Sequence, residues 1–418
     1  MNLQKHMIEM ARAAKKASLS LAVISTKEKN RALVAMAKAL LAKRDYLARE
    51  NSKDILMARK QGYSKALVDR LILSEKQIKE MADCLLATAR LKDPVGEVIK
   101  TFRRPNGLLI KKIRVPIGVI GIIYESRPNV TSDCIGLCLK SGNAAILKGG
   151  REAIYSNKAI FSILRGVVRK TTISQDAIQL VTSTDHKAID ILLAQDQYID
   201  LVIPRGGEGL IKSVAQKSRI SVIKHYKGIC HTYVCDKGNL KMAKEICYNA
   251  KVQKPGVCNA METMLVHKNI ASRFLPSMVS DFKRAGVEIR GCNRTRNIVR
   301  NVKVATEKDW DTEYLDLILS VKVVNDTKEA IKHINTHSSR HSDTIVTQNK
   351  KEAEEFLKSV DSACLYVNAS TRFTDGFQYG FGAEIGISTD KLHARGPMAL
   401  EELTTYKYLV YGKGQIRK

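Results

Sequence analysis

The feature that most restricts the fold is a series of short apolar segments that alternate with stretches of helical periodicity. A continuously apolar segment of this length is typical of a strand buried on both faces, as in a parallel sheet covered by helices. The alternation therefore predicts an α/β fold with a parallel sheet. The predicted strands are residues 117–124, 144–148, 178–181, 199–203 and 231–235, and the predicted helices are residues 131–141, 152–169, 187–195 and 240–252.

A second alternation begins at Glu262 and predicts a second α/β domain. Because 418 residues exceed what one hydrophobic core usually serves, more than one domain is expected. Helices are also predicted before the first alternation, within residues 1–60 and 75–91. The predicted strands of the second series are residues 263–267, 287–290, 317–324, 344–347 and 364–368, and residues 370–398 are predicted to form long functional loops.

A hairpin is predicted at residues 101–114, because Asn106-Gly107 lies between two strand-like segments. Its strands carry many basic residues, so we expect it to project from the body and to pair with another subunit. The tail at residues 406–411 alternates like an edge strand and is expected to pair with the hairpin of a partner subunit.

Cys258 is the cysteine with the most distinctive setting, in the segment Lys254-Pro255-Gly256-Val257-Cys258. A Pro-Gly turn raises the thiol, and a nearby lysine favours the thiolate, which is the better nucleophile. Cys134, Cys138, Cys230 and Cys235 instead lie in apolar runs, which predicts buried thiols. The nine cysteines show no zinc-type spacing, so we expect free thiols and no metal site.

The formal net charge of +28 is compatible with three kinds of anionic partner: nucleic acid, an anionic membrane and small anionic ligands. The basic residues are scattered and only 6% of residues are aromatic, so nucleic-acid binding is not expected. No segment approaches the ~20 apolar residues of a membrane span, and the first residues lack the pattern of a secretory signal. We therefore expect a cytoplasmic protein without a membrane partner.

Three positions near the ends of predicted strands each allow a functional and a structural interpretation. Lys148 ends a predicted strand, where open α/β sheets bind ligands, or it is a solvated lysine. The turn Arg205-Gly206-Gly207 precedes a predicted helix, where a phosphate can approach, or it is a plain connection. Asn129 can donate its side-chain amide to an oxyanion, or it is an ordinary residue at a helix start.

Six segments, in order along essentially the whole chain, resemble the γ-glutamyl phosphate reductase family of the aldehyde dehydrogenase superfamily. They include Glu125-Ser126-Arg127-Pro128-Asn129 and the Cys258 segment; the six lie in residues 115–131, 140–150, 203–207, 254–263, 312–316 and 381–397. The resemblance implies an aldehyde-dehydrogenase-like fold: two Rossmann-like α/β domains plus a β-hairpin oligomerisation arm. It implies a nicotinamide cofactor-binding domain at residues 1–100 and 117–254, a catalytic domain at 255–390, and an arm and tail at 101–116 and 400–414.

The resemblance also implies a reaction. NADP(H)-dependent reduction of L-glutamyl 5-phosphate would give L-glutamate 5-semialdehyde and phosphate, the second step of proline biosynthesis from glutamate. The family implies a homo-oligomer, a dimer or a tetramer. Eukaryotic relatives fuse this enzyme to a glutamate kinase; no such segment precedes residue 1, so a separate glutamate 5-kinase is expected, with possible direct association.

Residue roles follow from the same resemblance. It implies Cys258 as the nucleophile and Asn129 as an oxyanion donor. It puts Lys148, Arg205, Gly206 and Gly207 near the adenosine end of NADPH and Glu313 near the nicotinamide ribose. Three loop arginines are candidates for binding the substrate, with ordinary surface or packing roles as the alternative: Arg127, Arg372 and Arg395.

One departure from the wider superfamily bears on the fate of the thioester. Hydrolytic members carry a glutamate base in a Glu-Leu-Gly-Gly motif, and the corresponding residues 227–231 here contain no glutamate. A thioester on Cys258 is therefore expected to be reduced and not hydrolysed. Glu262, four residues after Cys258, is interpreted as structural. The alternatives are a semialdehyde dehydrogenase that makes an acid and, more remotely, a basic nucleic-acid-binding protein.

Overall fold

The computed structural model describes residues 2–224 and 226–417, apart from the side chain of Ala66. The chain forms two compact units. The first unit comprises Met1–Lys224, Gly380–Gly386 and Met398–Lys418, and the second comprises His225–Tyr379 and Ile387–Pro397. Among the described residues, no helix is both long and apolar enough to cross a membrane.

Five helices open the first unit; those within residues 1–60 and 75–90 were predicted from their periodicity, and the short helix Lys65–Leu71 was not. Met7, Ala11 and Ala14 are fully buried on one face of the first helix. Ser74 and Gln77 form a capping box that starts the fifth helix. The helices are α1 (Leu3–Leu21), α2 (Thr26–Ala42), α3 (Arg44–Lys60), α4 (Lys65–Leu71) and α5 (Glu75–Arg90).

A three-stranded antiparallel sheet contains the predicted hairpin and the tail. Its strands are β1 (Val98–Arg103), β2 (Leu109–Pro116) and β16 (Thr404–Tyr411). Gly107 has φ +87° in the connection, a conformation that favours glycine. The tail pairs with β2 of its own chain, from Thr404 opposite Pro116 to Tyr411 opposite Leu109. This corrects the expectation of pairing with a partner's hairpin, because the tail already occupies this edge of β2.

The first unit also holds a four-stranded parallel sheet in the order β5-β4-β3-β6. Every residue of β3, β4 and β5 is buried, as the continuously apolar segments predict. The strands are β3 (Val119–Tyr124), β4 (Ala144–Gly149), β5 (Ile178–Leu180) and β6 (Leu201–Arg205), and the helices are α6 (Asn129–Lys140), α7 (Ile154–Val168), α8 (Lys187–Leu193) and α9 (Glu208–Lys217).

The second unit is built on a seven-stranded sheet in the order β10-β9-β11-β8-β7-β12-β13, with every neighbouring pair parallel. Its strands are β7 (Cys230–Val234), β8 (Met261–His267), β9 (Glu288–Gly291), β10 (Lys303–Val304), β11 (Ile318–Val324), β12 (Ser342–Val346) and β13 (Cys364–Val367). Its helices are α10 (Leu240–Val252), α11 (Lys268–Arg284), α12 (Asn293–Ile298), α13 (Glu307–Trp310), α14 (Thr327–His337) and α15 (Lys350–Ser359).

Within the predicted loop region 370–398, two short strands pair with each other: β14 (Ile387–Ser388) and β15 (Gly396–Pro397). The units also differ from the predicted domains in two segments. Gly380–Gly386 belongs to the first unit, although the predicted catalytic domain runs to residue 390. Residues 226–254 belong to the second unit, because β7 pairs with β8 and β12 of that sheet. The functions predicted for the two domains stay predictions.

Candidate active site

Cys258 lies in a turn that joins α10 to β8, as its sequence predicts. We call residues 255–260 the Cys258 turn. The Ala260 N–H donates to the Val257 carbonyl at 3.0 Å inside it. Cys258 is half-buried, whereas six of the nine free cysteines are buried. The six include the four cysteines whose burial was predicted from sequence. The turn therefore presents a thiol at the amino end of a buried strand.

The start of β7 packs directly against the backbone of Cys258. A Cβ atom at Gly228 would lie 2.0 Å from the Cys258 carbonyl oxygen and 2.6 Å from its Cα. The Cys230 thiol donates to the same carbonyl oxygen at 3.2 Å. Because β7 and β8 are parallel neighbours, their amino ends meet at one edge of the sheet. Only glycine fits at position 228, so the close approach fixes where Cys258 lies.

Gly228→Ala is accordingly expected to lower kcat by about 10²-fold, because clearing the added methyl needs a shift on the order of 1 Å in the Cys258 turn. Steady-state kinetics would measure it. Gly209→Ala is a matched control, since nothing lies within 4 Å of a Cβ at Gly209. An unaltered kcat in Gly228→Ala would show that the turn absorbs the methyl without moving the thiol.

Glu313 also contributes to this edge. Its Oε1 accepts the Gly228 N–H at 2.8 Å, from the segment that leads into β11. The predicted role of Glu313 at a nicotinamide ribose is a separate matter and stays a prediction. The hydrogen bond shows that the Glu313 carboxylate holds Gly228 against Cys258.

Of the three candidate arginines, Arg372 is the one whose contacts lie beside Cys258 within the second unit. Its Nη1 donates to Asn259 Oδ1, and its Nε donates to Gln253 Oε1 at 2.9 Å. Burial lowers the pKa of Arg372, and negative charge on Cys258 opposes that shift. A guanidinium close to the thiol stabilises a thiolate and attracts an anionic substrate.

The other two arginines have different surroundings. Arg395 forms an ion pair with Asp361, Nη1 to Oδ1 at 2.9 Å, and Lys391 pairs with the same carboxylate at 2.6 Å. Arg127 is exposed and belongs to the first unit, between β3 and α6. Their predicted role in binding substrate stays a prediction.

Asn129 begins α6 in the first unit, two residues earlier than the predicted start of this helix. Its side-chain amide donates to Asp133 Oδ2 at 2.9 Å, one turn further along the helix. Burial raises the pKa of Asp133. The contact gives the Asn129 amide a defined orientation, and its role as an oxyanion donor stays a prediction.

Lys148 and Arg205 lie at the carboxyl edge of the first sheet, at the ends of β4 and β6, with β3 between the two strands. Lys148 is 6% exposed and donates to the Gly149 carbonyl at 2.9 Å. Burial lowers its pKa, and Glu152 opposes that shift. Glu152 in turn accepts the Ser126 N–H at 2.6 Å. This edge therefore carries cations and carboxylates side by side.

The glycine turn after β6 is already bonded to one of these carboxylates. Glu125 Oε2 accepts the Gly207 N–H at 2.8 Å, and a Cβ at Gly206 would lie 2.3 Å from the same oxygen. The Gly207 N–H is thus occupied by Glu125. A role of Gly206 and Gly207 in cofactor binding stays a prediction. In the arrangement described, such binding would not involve the Gly207 N–H.

The rest of this edge fits a nicotinamide dinucleotide, which presents phosphates and ribose hydroxyls. The Lys148 ammonium has three N–H groups, and one of them donates to the Gly149 carbonyl. Arg205 ends β6 only partly buried. Cations suit the phosphates, and carboxylates such as Glu152 suit the hydroxyls.

The sequence profile of the aldehyde dehydrogenase family matches residues 3–292. The gamma-glutamyl phosphate reductase of Caldanaerobacter subterraneus subsp. tengcongensis is 58% identical over 408 residues, covering 98% of this chain and 99% of that protein. The chain belongs to the aldehyde dehydrogenase family and, within it, to the gamma-glutamyl phosphate reductases. The predicted family, fold class and enzyme class, a glutamate-5-semialdehyde dehydrogenase, are thereby confirmed.

Solved structures agree with this assignment. Gamma-glutamyl phosphate reductase from Thermotoga maritima superposes with a TM-score of 0.96 at 47% identity, covering 99% of this chain and 100% of that one. A glyceraldehyde-3-phosphate dehydrogenase from Methanocaldococcus jannaschii, solved with NADP, has a TM-score of 0.69 at 15% identity and covers 98% and 95%. The second likeness shows the shared aldehyde dehydrogenase fold alone.

Two carboxylates of the second unit, Glu262 and Glu313, are engaged with other groups. Glu262, interpreted from sequence as structural, is fully buried and pairs with Lys251 at 2.6 Å. Glu313 is bonded to Gly228. Residues 227–231 contain no glutamate, and the expectation that a thioester on Cys258 is reduced and not hydrolysed stays a prediction.

A buried histidine cluster lies in the same unit of this gamma-glutamyl phosphate reductase. His333 stacks edge-on with His231 and Trp310, at ring distances of 5.5 and 5.4 Å, and Lys322 Nζ lies 3.1 Å from its Nδ1. Burial lowers the pKa of His333 to about 2, with the neighbouring cations adding to the shift, and that of His341 to about 4. Both histidines are therefore neutral in the folded unit.

These shifts predict loss of stability in mild acid. The unfolded chain binds protons at these histidines below about pH 6.5, while the folded unit does not. The contribution of these two histidines to stability should therefore fall as the pH drops, by about 1.4 kcal/mol per histidine near pH 5.5. Urea unfolding at neutral and acidic pH would measure it. His333→Gln should remove about half of the effect; an unchanged pH dependence would mean that His333 does not contribute.

One group of possible metal ligands occurs among the described residues: Cys235, Asp236 and Glu352, whose ligand atoms lie within 4.8 Å of one another. Cys235 Sγ and Glu352 Oε2 are 2.6 Å apart. The cluster contains no second cysteine or histidine. The expectation of no metal site stays a prediction.

Proposed function

We propose that this enzyme reduces L-glutamyl 5-phosphate to L-glutamate 5-semialdehyde and phosphate, with NADPH as the reductant. The observation that carries the proposal is the setting of Cys258: a half-buried thiol next to the Arg372 guanidinium, with Glu262 and Glu313 each engaged with another group. The family assignment supports the substrate. The reaction belongs to proline biosynthesis from glutamate.

The nucleophile is the Cys258 thiolate, which attacks the carbonyl carbon of the acyl phosphate. Arg372 offers a positive charge near the thiolate and the incoming phosphate. Asn129 and the Cys258 N–H are the proposed donors to the oxyanion. Phosphate is already a good leaving group, so its departure from the tetrahedral intermediate leaves a thioester on Cys258.

NADPH, when bound, supplies the hydride that reduces this thioester. Lys148 and Arg205 are the proposed residues for its phosphates, with Gly206, Gly207 and Glu313 as further candidates. The chain's own contribution is to keep water from attacking: Glu262 is buried and ion-paired, so it does not serve as a general base. The thiohemiacetal then collapses, and the Cys258 thiolate leaves as the aldehyde forms.

The deciding experiment is the reverse reaction, NADP reduction with glutamate semialdehyde in the presence and absence of phosphate. We expect sustained turnover of NADP reduction only with phosphate, and at most about one equivalent of NADPH per site without it, because the acyl group must leave Cys258 to an oxygen of phosphate before the thiol can react again. Phosphate-independent formation of glutamate would replace this proposal with a hydrolytic semialdehyde dehydrogenase. Substituting NAD in the same assay tests the cofactor preference.

Assembly is the remaining part of the proposal. Tyr406, Tyr408 and Tyr411 are about half exposed on the tail strand, beside the hairpin predicted to join subunits. We propose a homo-oligomer that uses this three-stranded sheet, to be measured by light scattering. Association with a glutamate 5-kinase is a separate proposal, for co-purification to test.

A further inference from the structure

A buried ion pair lies next to the Cys258 turn, and the reaction proposed above gives it no role. Lys251 is in the last turn of α10, and Glu262 is the second residue of β8. Both side chains are completely buried, with Nζ and Oε2 2.6 Å apart. Burial raises the pKa of Glu262 to about 7 and lowers that of Lys251, so each charge depends on its partner. Buried pairs of this kind are costly unless their remaining atoms are also bonded.

The second oxygen of Glu262 is bonded to the segment that leads into β11. Its Oε1 accepts the Leu315 N–H at 3.1 Å. Leu315 has φ +54°, in the left-handed region that residues with a bulky side chain rarely adopt. Such a backbone persists only where its surroundings hold it. Glu262 therefore stabilises a strained residue.

Each of the three consecutive residues 313–315 has its own anchor. The Tyr314 hydroxyl bonds to Asp309 Oδ1 at 2.8 Å and to Ser320 Oγ at 2.7 Å. Glu313 accepts the Gly228 N–H, and Leu315 donates to Glu262. The direction of the Glu313 carboxylate thus depends on a bond made two residues later.

The 313–315 segment contacts the Cys258 turn by two routes. Through Glu313 it holds Gly228, whose backbone lies against the carbonyl and Cα of Cys258. Directly, Leu315 lies beside the turn, since a Cβ added at Gly256 would be 3.6 Å from the Leu315 carbonyl oxygen. A change in the segment therefore moves the turn that carries the thiol.

We propose that Glu262, paired with Lys251, is a positioning residue for Cys258: it holds residues 313–315, and through Glu313 and Gly228 it fixes the backbone of the nucleophile. This inference rests on the proposed function in taking Cys258 as the reacting thiol. It gives Glu262 a task other than proton transfer, since both carboxylate oxygens are engaged and the side chain is sealed from solvent.

The test compares Glu262→Ala with Glu262→Gln. Alanine removes the acceptor for the Leu315 N–H, whereas glutamine keeps a carbonyl oxygen in the same place. We expect Glu262→Ala to lower kcat by about 10²-fold with little change in KM, as for a displaced catalytic group. Glutamine should restore most of the loss, and adding Lys251→Met should restore more by removing the unpaired ammonium.

A second readout needs no substrate. The rate of Cys258 alkylation by iodoacetamide reports whether the thiol keeps its place beside Arg372. It should change about tenfold in Glu262→Ala, because moving the turn alters the access and orientation of the thiol. If the wild-type enzyme failed to act on glutamate semialdehyde, the proposed function would fail while this measurement still tested the positioning role.

The matched control is the buried pair Lys29–Asp93 in the first unit, with Nζ and Oδ2 3.0 Å apart. Asp93→Ala should lower the melting temperature without changing kcat or the alkylation rate. Equal losses of activity in Asp93→Ala and Glu262→Ala would show that Glu262 contributes only to the stability of the fold and does not position Cys258. The proposal is also overturned if Glu262→Ala keeps its kcat and alkylation rate, or if glutamine restores nothing.

Discussion

Replacing Cys258 by alanine is expected to abolish reductase activity, by at least about 10⁴-fold, and to leave NADPH binding largely intact. Without the thiol, no covalent bond forms to the acyl carbon. The acyl group of the substrate then has no acceptor on the enzyme. Cofactor binding should persist because Lys148 and Arg205 belong to strands of the first unit, whereas Cys258 belongs to the second.

Two measurements separate these effects: phosphate release coupled to NADPH oxidation for the chemistry, and fluorescence titration for NADPH binding. Cys292→Ala is the matched control, because Cys292 is another half-buried free thiol of the same unit. It should keep full activity. Full activity in Cys258→Ala would refute the covalent mechanism, and loss of NADPH binding would indicate that the substitution disturbs more than the thiol.

Asn129→Ala is expected to lower kcat by about 10²–10³-fold while affecting substrate affinity much less. This is the usual cost of losing one side-chain donor to an oxyanion, since the bond strengthens as charge develops on the oxygen. The bond to Asp133 gives the amide a defined direction before substrate arrives, so little reorganisation is needed.

Ser141→Ala offers a control at the other end of the same helix. The Ser141 hydroxyl is buried and donates to the Leu137 carbonyl at 2.7 Å, so its removal costs α6 a hydrogen bond without touching Asn129. Only Asn129→Ala should lower kcat. A rise in KM with an unchanged kcat would assign Asn129 to substrate binding and remove it from the oxyanion site.

Local sequence patterns predicted the elements well where burial dominates. The strand predicted at residues 144–148 is Ala144–Gly149, and the one predicted at 231–235 is Cys230–Val234. The Cys258 turn was also predictable, because Pro255-Gly256 must break the chain before the apolar strand that follows. Both depend on neighbours within a few residues.

Contacts among distant segments were not predictable in this way. Gly228, Cys258 and Glu313 meet because β7, β8 and β11 are adjacent in the sheet, and that order is set by non-local pairing. No periodicity signals that position 228 must lack a side chain. The tail strand was predicted as a strand, but alternation does not determine which copy of β2 it joins. Glu125 and Glu152 were overlooked because their partners are backbone N–H groups.

The pairing of β16 with β2 has a consequence for how the chain is made. Residues 404–411 leave the ribosome only after the whole second unit, so until then β2 presents an unpaired edge next to β1. An open edge strand is a template for association with other chains. The interval between synthesis of β2 and of β16 is thus a period of aggregation risk during biogenesis, and shortening the chain to end before Thr404 would make that risk permanent.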